Sequence, residues 1–421
     1  MGRVSIENYK SIARTDLELS PLTILVGPPG GGKSNIMEAL SLVGLIGRFF
    51  RYVLGKSGQD SALDSLEQTV SRERRIINSL IRTKNYEEIF YYSDVTRVVN
   101  ITFNPLKMSF KIKHGDLHSS VNISGYLPGL NHRFISNKDV KLLLSNIIQY
   151  YIIGCLYKHY KPVKDIYDKI RSALDKLVML GGADIKELST GFPEIRLYGY
   201  ERFGVNTRIN EIMSYNEPSE SYKYTLLEDA SNIASILNIA TDVLDKINEW
   251  LDSLGTGLKV IYDKRRMEPI FFKEPVSLTP SLVSDAVLRM IYYLAALRSA
   301  VTVKKIYDAK TNIVMLEEPG AHVFPYSFEV LGEAIKNAVN NGVYVVISTH
   351  NNLLVSKLWD LLPREQITTY YVFEKPRKGT VVIQLPMDKL AEKLMTSFEI
   401  MIMRPAELLR ELNISLDEET L

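Results

Sequence analysis

The chain has 421 residues, of which 46% are hydrophobic and 24% charged, a composition that excludes intrinsic disorder and suits a globular protein of roughly two or three domains. Its 51 Lys and Arg nearly balance 49 Asp and Glu, so the net charge of +2 excludes a global field that attracts nucleic acid or membranes. Any basic surface must be local. The single cysteine, Cys155, excludes an intramolecular disulfide and a Cys-rich zinc site.

Targeting and membrane-spanning patterns are not evident in the sequence. Residues 1–19 alternate charged and apolar side chains, unlike a signal or transit peptide. The most apolar stretch, residues 140–157, carries Lys141, Asn146 and Gln149, which interrupt it too often for a span of about 20 apolar residues. A lone cysteine also fits a reducing compartment. We therefore expect a cytoplasmic protein that does not contact a membrane.

The first third of the chain is predicted to mix strands and helices. Alternating or fully apolar runs predict strands at residues 3–7, 15–19 and 22–26. A helix-favouring run follows Gly32 to about Leu54, and residues 62–92 also have a helical pattern. Three segments rich in Val, Ile, Phe and Ser between Val95 and Tyr126 predict antiparallel strands.

The rest of the chain changes from mainly helical to alternating. Residues 137–181 and 224–254 are predicted to be helical, on either side of the turn-rich stretch 190–222. Strands are predicted at 257–263, 269–273, 312–317, 343–348, 367–373 and 379–384. Helices are predicted at 281–300, 326–340, 351–361 and 388–412. This alternation is typical of an α/β sheet.

A phosphate-binding pattern lies at residues 27–34, where GPPGGGKS matches GxxxxGK[ST] between the apolar strand and the helix. Its glycines allow backbone N–H groups to surround a phosphate, and the helix N-terminus adds a positive dipole end. Lys33 would contact the β- and γ-phosphates of a nucleotide, and Ser34 would place its hydroxyl on Mg²⁺. A glycine-rich turn that only packs is the alternative, but it does not explain the register of Lys33 and Ser34.

Two further apolar strands are predicted to end in residues that suit phosphate chemistry. Glu317 and Glu318 follow one, where Glu317 would hold Mg²⁺ through its water shell and Glu318 would polarise an attacking water. His350 follows the other, where its imidazole could sense the γ-phosphate. The alternatives are solvated acids at a strand end and a histidine that only caps or packs.

The start of the 281–300 helix is a weaker candidate. Ser284, Asp285 and Ala286 stand there, and Ser284 suits the N-cap position. The functional interpretation is that this helix start grips the γ-phosphate of an ATP bound by a second protomer. Simple capping is the alternative.

Five segments together resemble the ABC-type ATPase heads of the SMC, RecF and OLD group, in particular its single-head, OLD-related members. They are NYKSI at 8–12, LTILVGPPGGGKSNIMEAL at 22–40, SDAVLRM at 284–290, LEEPGAHVFP at 316–325 and ISTHN at 347–351. The resemblance is close over roughly residues 1–45 and 280–360, and elsewhere it extends only to the layout.

The resemblance implies an α/β fold, a P-loop NTPase head with a mixed sheet and a largely helical insertion. Residues 1–60 and 260–421 would form the head, 61–135 a subdomain of helix and antiparallel strands, and 136–259 the mainly helical insertion. The cofactors would be ATP and Mg²⁺. The residues implied to bind ATP are Lys10, Ser11, Gly27, Pro28, Pro29, Gly30, Gly31, Gly32, Lys33, Ser34 and Asn35. His322 would face a partner head across an ATP-linked homodimer.

The sequence departs from the group's pattern in several places. Pro29 replaces the usual Asn, Glu317 the more general Asp, and Ala286 the signature glycine, which adds a methyl where backbone should approach a phosphate. Because only a short tail follows the last predicted strand, we expect the nuclease domain of the OLD proteins to be absent. We place no glutamine loop. These departures keep open a slow or inactive ATP-binding switch that gates a partner effector such as a nuclease.

DNA and a partner protein are both candidates for binding the middle of the chain. Basic and aromatic residues interleave at 157–164, extended by Lys169 and Arg171. A second basic cluster comprises Arg72, Arg74, Arg75, Arg82 and Lys84. Solvated helix faces are the alternative in both places. Arg202, in YGYERFG, is interpreted as part of a packed loop, with a nucleotide or partner contact as the alternative. The leading hypothesis is an ATPase that acts in DNA repair, maintenance or defence.

Overall fold

The structure is a computed structural model that describes residues 2–49, 51, 72–82, 86–104, 106–113, 116–123, 146, 148–149, 151–152, 172, 192–214, 223–307, 310–392 and 396–414. The basic segment at 157–164 with Lys169 and Arg171, together with Lys84, lies outside the described residues, as does most of the helix predicted at 137–181.

The described strands and helices follow in chain order. The strands are β1 Gly2–Tyr9, β2 Ile12–Leu19, β3 Leu22–Val26, β4 Val99–Phe103, β5 Leu106–Lys113, β6 Asp116–Ile123, β7 Glu194–Gly199, β8 Leu258–Asp263, β9 Glu268–Lys273, β10 Val276–Leu278, β11 Asn312–Glu317, β12 Tyr344–Ser348, β13 Ile367–Lys375 and β14 Gly379–Gln384. The helices are α1 Lys33–Phe49, α2 Ile209–Met213, α3 Ile233–Ile239, α4 Thr241–Ser253, α5 Asp285–Tyr307, α6 Ser327–Asn340, α7 Asn352–Leu361, α8 Met387–Glu392, α9 Ser397–Ile402 and α10 Pro405–Glu411. Residues 72–81 are helical as well.

One mixed sheet organises the molecule, in the strand order β6-β5-β4-β1-β2-β14-β13-β3-β12-β11-β7. The half from β13 to β7 is parallel, and the half from β6 to β14 is antiparallel. β3 lies between β13 and β12 with all five of its residues buried, as its largely apolar sequence predicts. The predicted α/β fold with a mixed sheet is confirmed. A separate sheet has the order β10-β9-β8.

Helix α5, with 23 residues, is the longest helix of the described part of the chain. It is the one described helix whose length and composition would allow it to cross a membrane, but 83% of its apolar window is buried inside the protein. It lies against α6, α4 and β11. Its apolar character is therefore that of a core helix.

Strand β7 corrects the prediction of a turn-rich stretch at 190–222. All six of its residues are buried and it pairs in parallel with β11, so it forms the edge of the main sheet. The charged residues Glu194 and Arg196 make its sequence unlike that of a buried strand. They belong to a buried ion-pair network in which Arg196 and Arg48 of α1 both contact Glu228, each at 2.7 Å. Each buried charge is compensated by a neighbour, which allows a charged strand inside the core.

Two long helices predicted from sequence are broken in the structure. Within 224–254, residues 223–232 form turns in which the Asn232 side chain accepts a hydrogen bond from Leu227 N and donates one to Thr225 O, and α3 and α4 follow. Within 388–412 the chain forms α8, α9 and α10, because Thr396 begins α9 with a capping box and Pro405 begins α10. Residues 86–92, the end of the predicted 62–92 helix, are mainly short 3₁₀ turns, the second of which continues to Ser93.

The predicted domain boundaries do not coincide with the edges of the main sheet. Strands β4, β5 and β6, from the predicted 61–135 subdomain, continue the sheet through β1. Strand β7, from the predicted 136–259 insertion, ends it on the other side. The division into a head, a subdomain and an insertion remains a prediction.

Candidate nucleotide-binding site

The site lies at the carboxyl edge of the parallel strands, where β3, β12 and β11 end side by side. Residues 27–32 link β3 to α1, and Gly27, Gly30 and Gly32 have φ angles of 134°, 78° and 100°. A Cβ on Gly32 would lie 2.1 Å from Thr380 Oγ1, and one on Gly27 would lie 2.1 Å from the carbonyl oxygen of Val372. Glycine is therefore required both by conformation and by the approach of β13 and β14.

Lys33 is folded back onto its own loop. Its Nζ donates to the carbonyl oxygens of Gly27 at 2.6 Å and Pro28 at 3.0 Å. Burial lowers the pKa of Lys33, and the Glu318 carboxylate opposes that shift. A phosphate in the loop would offer this ammonium a stronger acceptor than two carbonyls.

Ser34 and Glu317 meet across the start of α1 and the end of β11. Ser34 Oγ donates to Glu317 Oε1 at 2.6 Å, although the two residues are far apart in the sequence. Burial would raise the pKa of Glu317, but hydrogen bonds from Arg202 and Ser34 hold it below the usual value. The hydroxyl and ionised carboxylate are the two oxygen ligands predicted for Mg²⁺, and they are brought together as that role requires.

Arg202, interpreted from the sequence as part of a packed loop with a nucleotide or partner contact as the alternative, lies beside the residue predicted to hold Mg²⁺. Its Nε and Nη2 donate to the two carboxylate oxygens of Glu317, each at 2.5 Å, and its Nη1 donates to Glu38 Oε1 at 2.6 Å. It follows the end of β7, which ends beside Glu317 because β7 pairs with β11. The loop is packed, since Arg202 is buried in the turn after β7, and its guanidinium also contacts the two carboxylates. The only signal in the sequence was an arginine flanked by aromatic residues.

Glu38 is a residue of the site that the sequence analysis did not single out. It lies on α1, is 1% exposed, and also accepts a hydrogen bond from Lys10 Nζ. Lys10 has a φ of 49° in the turn between β1 and β2. The predicted site residue Lys10 is thus linked to Arg202 through the Glu38 carboxylate, and Arg202 in turn contacts Glu317, the predicted Mg²⁺ ligand.

Ser11 and Asn35 tie the β1–β2 turn to α1. Asn35 Nδ2 donates to Ser11 Oγ at 2.7 Å, and Ser11 Oγ lies 2.7 Å from Thr380 Oγ1. These hydrogen bonds place the predicted residues Ser11 and Asn35 beside the loop that carries Gly32. Pro28, Pro29 and Gly30 are exposed on that loop.

Glu318 and His350 form a pair, and the Glu318 carboxylate interacts with the charge of Lys33. Glu318 has a φ of 48°, its Oε1 lies 2.9 Å from His350 Nδ1, and its Oε2 accepts from the His350 backbone N at 3.3 Å. Burial raises the pKa of Glu318 to about 7, against an opposing effect of Lys33. Burial lowers the pKa of His350. A carboxyl with this pKa suits a general base at neutral pH.

The predicted signature residues lie at the start of α5, which ion pairs connect to the loop after β7. Helix α5 begins at Asp285, so Ser284 occupies the N-cap position as predicted, and Ala286 is on the first turn. Asp285 pairs with Arg289 at 3.1 Å, and Arg289 also pairs with Glu201. His322, with a φ of 57°, is exposed after β11. The structure does not place Ser284, Asp285 or Ala286 in contact with Lys33 or Ser34 among the residues it describes.

The residues of the site fit the implied ATP and Mg²⁺, although they do not form a cluster of metal-ligating side chains. Among the described ranges, no group of three or more His, Cys, Asp or Glu residues could hold a metal ion by itself. Ser34 and Glu317 would hold Mg²⁺ with few protein ligands, as is usual where phosphates complete the coordination. The backbone of 27–32 and the N-terminus of α1 would hold the phosphates.

This fold and this site define a P-loop nucleotide-binding ATPase. The family AAA_23, an AAA domain, matches residues 3–249, which is more than half of the 421 residues. The chain therefore belongs to the AAA_23 family of AAA domains. The predicted AAA/ABC-type ATPase class is confirmed, while the more specific relation to OLD proteins stays a prediction. No curated protein matches the chain.

Solved SMC head structures are similar to the chain at low identity. One, an SMC head bound to the C-winged helix domain of ScpA, has a TM-score of 0.46 and 13% identity, covering 92% of this chain and 98% of that one. The SMC head domain from Thermotoga maritima has a TM-score of 0.39 and 14% identity, covering 91% and 98%. An Smc head domain with an extended coiled coil, bound to the C-terminal domain of ScpA derived from Pyrococcus furiosus, has a TM-score of 0.43 and 12% identity, covering 94% and 99%.

Proposed function

We propose that the protein is a Mg²⁺-dependent ATPase that hydrolyses ATP with Glu318 as its general base. The observation that carries the proposal is the position of Glu318, which pairs with His350 at 2.9 Å on the strand end that also carries Glu317. The metal ligands, the phosphate-loop lysine and a base with a pKa of about 7 thereby share one sheet edge.

Each residue has a separate task in this reaction. Glu318 takes the proton of the attacking water, and His350, more than half of whose side chain is exposed, holds the Glu318 carboxylate through Nδ1. Lys33 leaves the carbonyls of Gly27 and Pro28 to neutralise charge on the β- and γ-phosphates. Mg²⁺, held by Ser34 and Glu317, would offset the charge that develops on the phosphate oxygens.

ATP-driven dimerisation is the proposed output of the cycle. Ser284, Asp285 and Ala286 sit at the N-terminus of α5 without contacting the phosphate loop of their own chain among the described residues, so they are available to a second copy. His322 is exposed at the same edge as Glu318. A Glu318→Gln protein that stays a monomer in light scattering with saturating ATP and Mg²⁺ would contradict dimerisation.

The first experiment is a comparison of phosphate release by the wild type, Glu318→Gln and Glu329→Gln, each with and without double-stranded DNA. Glu329 is an exposed residue of α6 paired with Lys357, so Glu329→Gln controls for the same chemical change outside the site. We expect turnover in wild type and control, and a loss of at least about 100-fold in Glu318→Gln, the size that a general base contributes. Binding of ATP by Glu318→Gln, measured separately, should persist.

The DNA arm of that experiment addresses the proposed role in DNA repair, maintenance or defence. Arg75, on the 72–81 helix, is exposed, and Arg82, which follows that helix, is about half exposed. Acceleration of turnover by DNA would support a DNA-coupled enzyme. A rate that is the same with and without DNA would favour a protein partner.

A slow ATP-binding switch that gates an effector protein is the second candidate. The specific observation in its favour is that Arg202 uses both oxygens of Glu317 while Lys33 is bonded to its own loop. Negligible phosphate release by a wild-type protein that binds ATP would select this function.

A further inference from the structure

The Arg202 guanidinium joins two carboxylates that belong to different elements. It contacts Glu317 at the end of β11 through two hydrogen bonds and Glu38 on α1 through a third. The Arg202 side chain has no exposed surface. Burial would lower its pKa, but the bonds and charges of Glu317 and Glu38 raise it, so the guanidinium stays charged.

This arrangement places a fixed cation where the metal carboxylate is needed. Glu317 must turn at least one oxygen toward the metal or its water shell, but Arg202 and Ser34 share three hydrogen bonds with its two oxygens. A guanidinium in contact with a carboxylate repels a second cation that approaches the same oxygens, and the repulsion is strong in a buried site.

Glu38 offers Arg202 an alternative position in which the buried guanidinium still has a carboxylate partner. Glu38 is almost fully buried. One of its oxygens already accepts a hydrogen bond from Arg202 Nη1, and the other accepts one from Lys10 Nζ. If Arg202 gave up one or both hydrogen bonds to Glu317, it would still lie beside a carboxylate. The exposed Arg82, whose Nη2 lies 3.5 Å from Glu317, has no comparable second partner among the residues described.

We propose that Arg202 is a positioning residue that holds Glu317 in the metal-free state and yields it, by shifting toward Glu38, when Mg²⁺ enters with the nucleotide. This inference rests on the proposed function, since it concerns the same metal site. It makes Arg202 the residue that sets how much Mg²⁺ the site requires.

The test is a Mg²⁺ titration of nucleotide binding, followed with a fluorescent ATP analogue in protein first treated with EDTA. The proteins are wild type, Arg202→Gln, Arg202→Lys and Glu38→Gln, with Arg298→Gln as a matched control. Arg298 pairs with Asp242 between α5 and α4, away from the site. A thermal melt of each protein establishes that it is folded.

We expect the half-saturating Mg²⁺ concentration to fall about tenfold or more in Arg202→Gln, because loss of a charge-assisted hydrogen bond changes an equilibrium by at least that factor. Arg202→Lys, which cannot bridge both carboxylates, should show a smaller fall. Glu38→Gln should raise the concentration, because Arg202 then keeps Glu317 as its only carboxylate. Arg298→Gln should match the wild type.

A half-saturating Mg²⁺ concentration that falls in Arg202→Gln and rises in Glu38→Gln separates this role from a structural one. In a structural role, both changes would weaken the site. An unchanged or increased Mg²⁺ requirement in both Arg202 variants would overturn the proposal. If Arg202→Gln does not fold, Arg202→Lys and Glu38→Gln still decide. A wild-type protein that binds no nucleotide at any Mg²⁺ concentration would instead contradict the proposed function.

Discussion

Glu201 and Arg202 are consecutive residues whose side chains form ion pairs in opposite directions. Arg202 binds Glu317, the proposed Mg²⁺ ligand, while Glu201 binds Arg289, with Glu201 Oε2 accepting from Arg289 Nη1 at 3.0 Å. Arg289 also lies 4.5 Å from the ring centre of Tyr200. The loop after β7 therefore links the nucleotide site to the first turns of α5, which carry the predicted signature.

Replacing Glu201 should weaken this link. In Glu201→Gln the Arg289 guanidinium, whose side chain is 1% exposed, would keep only Asp285 as a carboxylate partner. Because Glu201 itself is about half exposed, we expect a loss of about 1–2 kcal/mol in the free energy of unfolding. Urea denaturation measures it. Glu333→Gln, in the exposed pair with Lys336, is the control and should change stability by less than about 0.5 kcal/mol. Equal effects of the two changes would show that the Glu201 contact adds nothing.

The pKa of Glu318 predicts a pH-dependent stability in metal-free protein. Its folded pKa of about 7 lies above the ordinary value of 4.5, so the folded state binds this proton more tightly than the unfolded state. Stability should therefore fall as pH rises from 4.5 to about 7 and stay level above that range. Glu318→Gln, which cannot ionise, should gain stability relative to wild type across that window, by at most about 3 kcal/mol.

Urea unfolding in EDTA at several pH values between 4 and 8 checks this prediction, with Glu329→Gln again as the control for loss of an exposed carboxylate. The stability difference between Glu318→Gln and wild type should grow with pH. A difference that stays constant, or that shrinks with increasing pH, would contradict the raised pKa.

The phosphate loop predicts a contrast between two glycine substitutions. Gly32→Ala places a Cβ 2.1 Å from Thr380 Oγ1, whereas Gly255→Ala, also at a positive φ, meets no atom within 4 Å. Both should lose about 1 kcal/mol of stability from the left-handed conformation, and Gly32→Ala should lose more than Gly255→Ala because Thr380 must shift. Only Gly32→Ala should also lose nucleotide affinity, which a fluorescent ATP analogue reports. Wild-type affinity in Gly32→Ala would show that the loop accommodates the methyl by moving β14.

Much of the fold and half of the site follow from local sequence patterns. The apolar run of β3, the glycines and Lys33 after it, and the acids after β11 are each recognisable within a few residues, because strand burial and phosphate binding depend on neighbours in the chain. The alternation of strands and helices in the last third predicted an α/β sheet for the same reason, and the structure confirms it. Residues 86–93 and the helices at 224–254 and 388–412 were less predictable, since single side-chain caps and turns decided where helices stop.

Only the tertiary structure decided which charged residues pair with each other when the partners are distant in the chain. Arg202 and Glu317 are 115 positions apart, and Arg48 and Glu228 are 180 apart. A charged residue such as Arg196 looks like a loop residue until a buried partner is known, which is why β7 was not predicted from its sequence. Burial of a charge depends on a compensating charge across the fold, and no local pattern in the chain records that pairing.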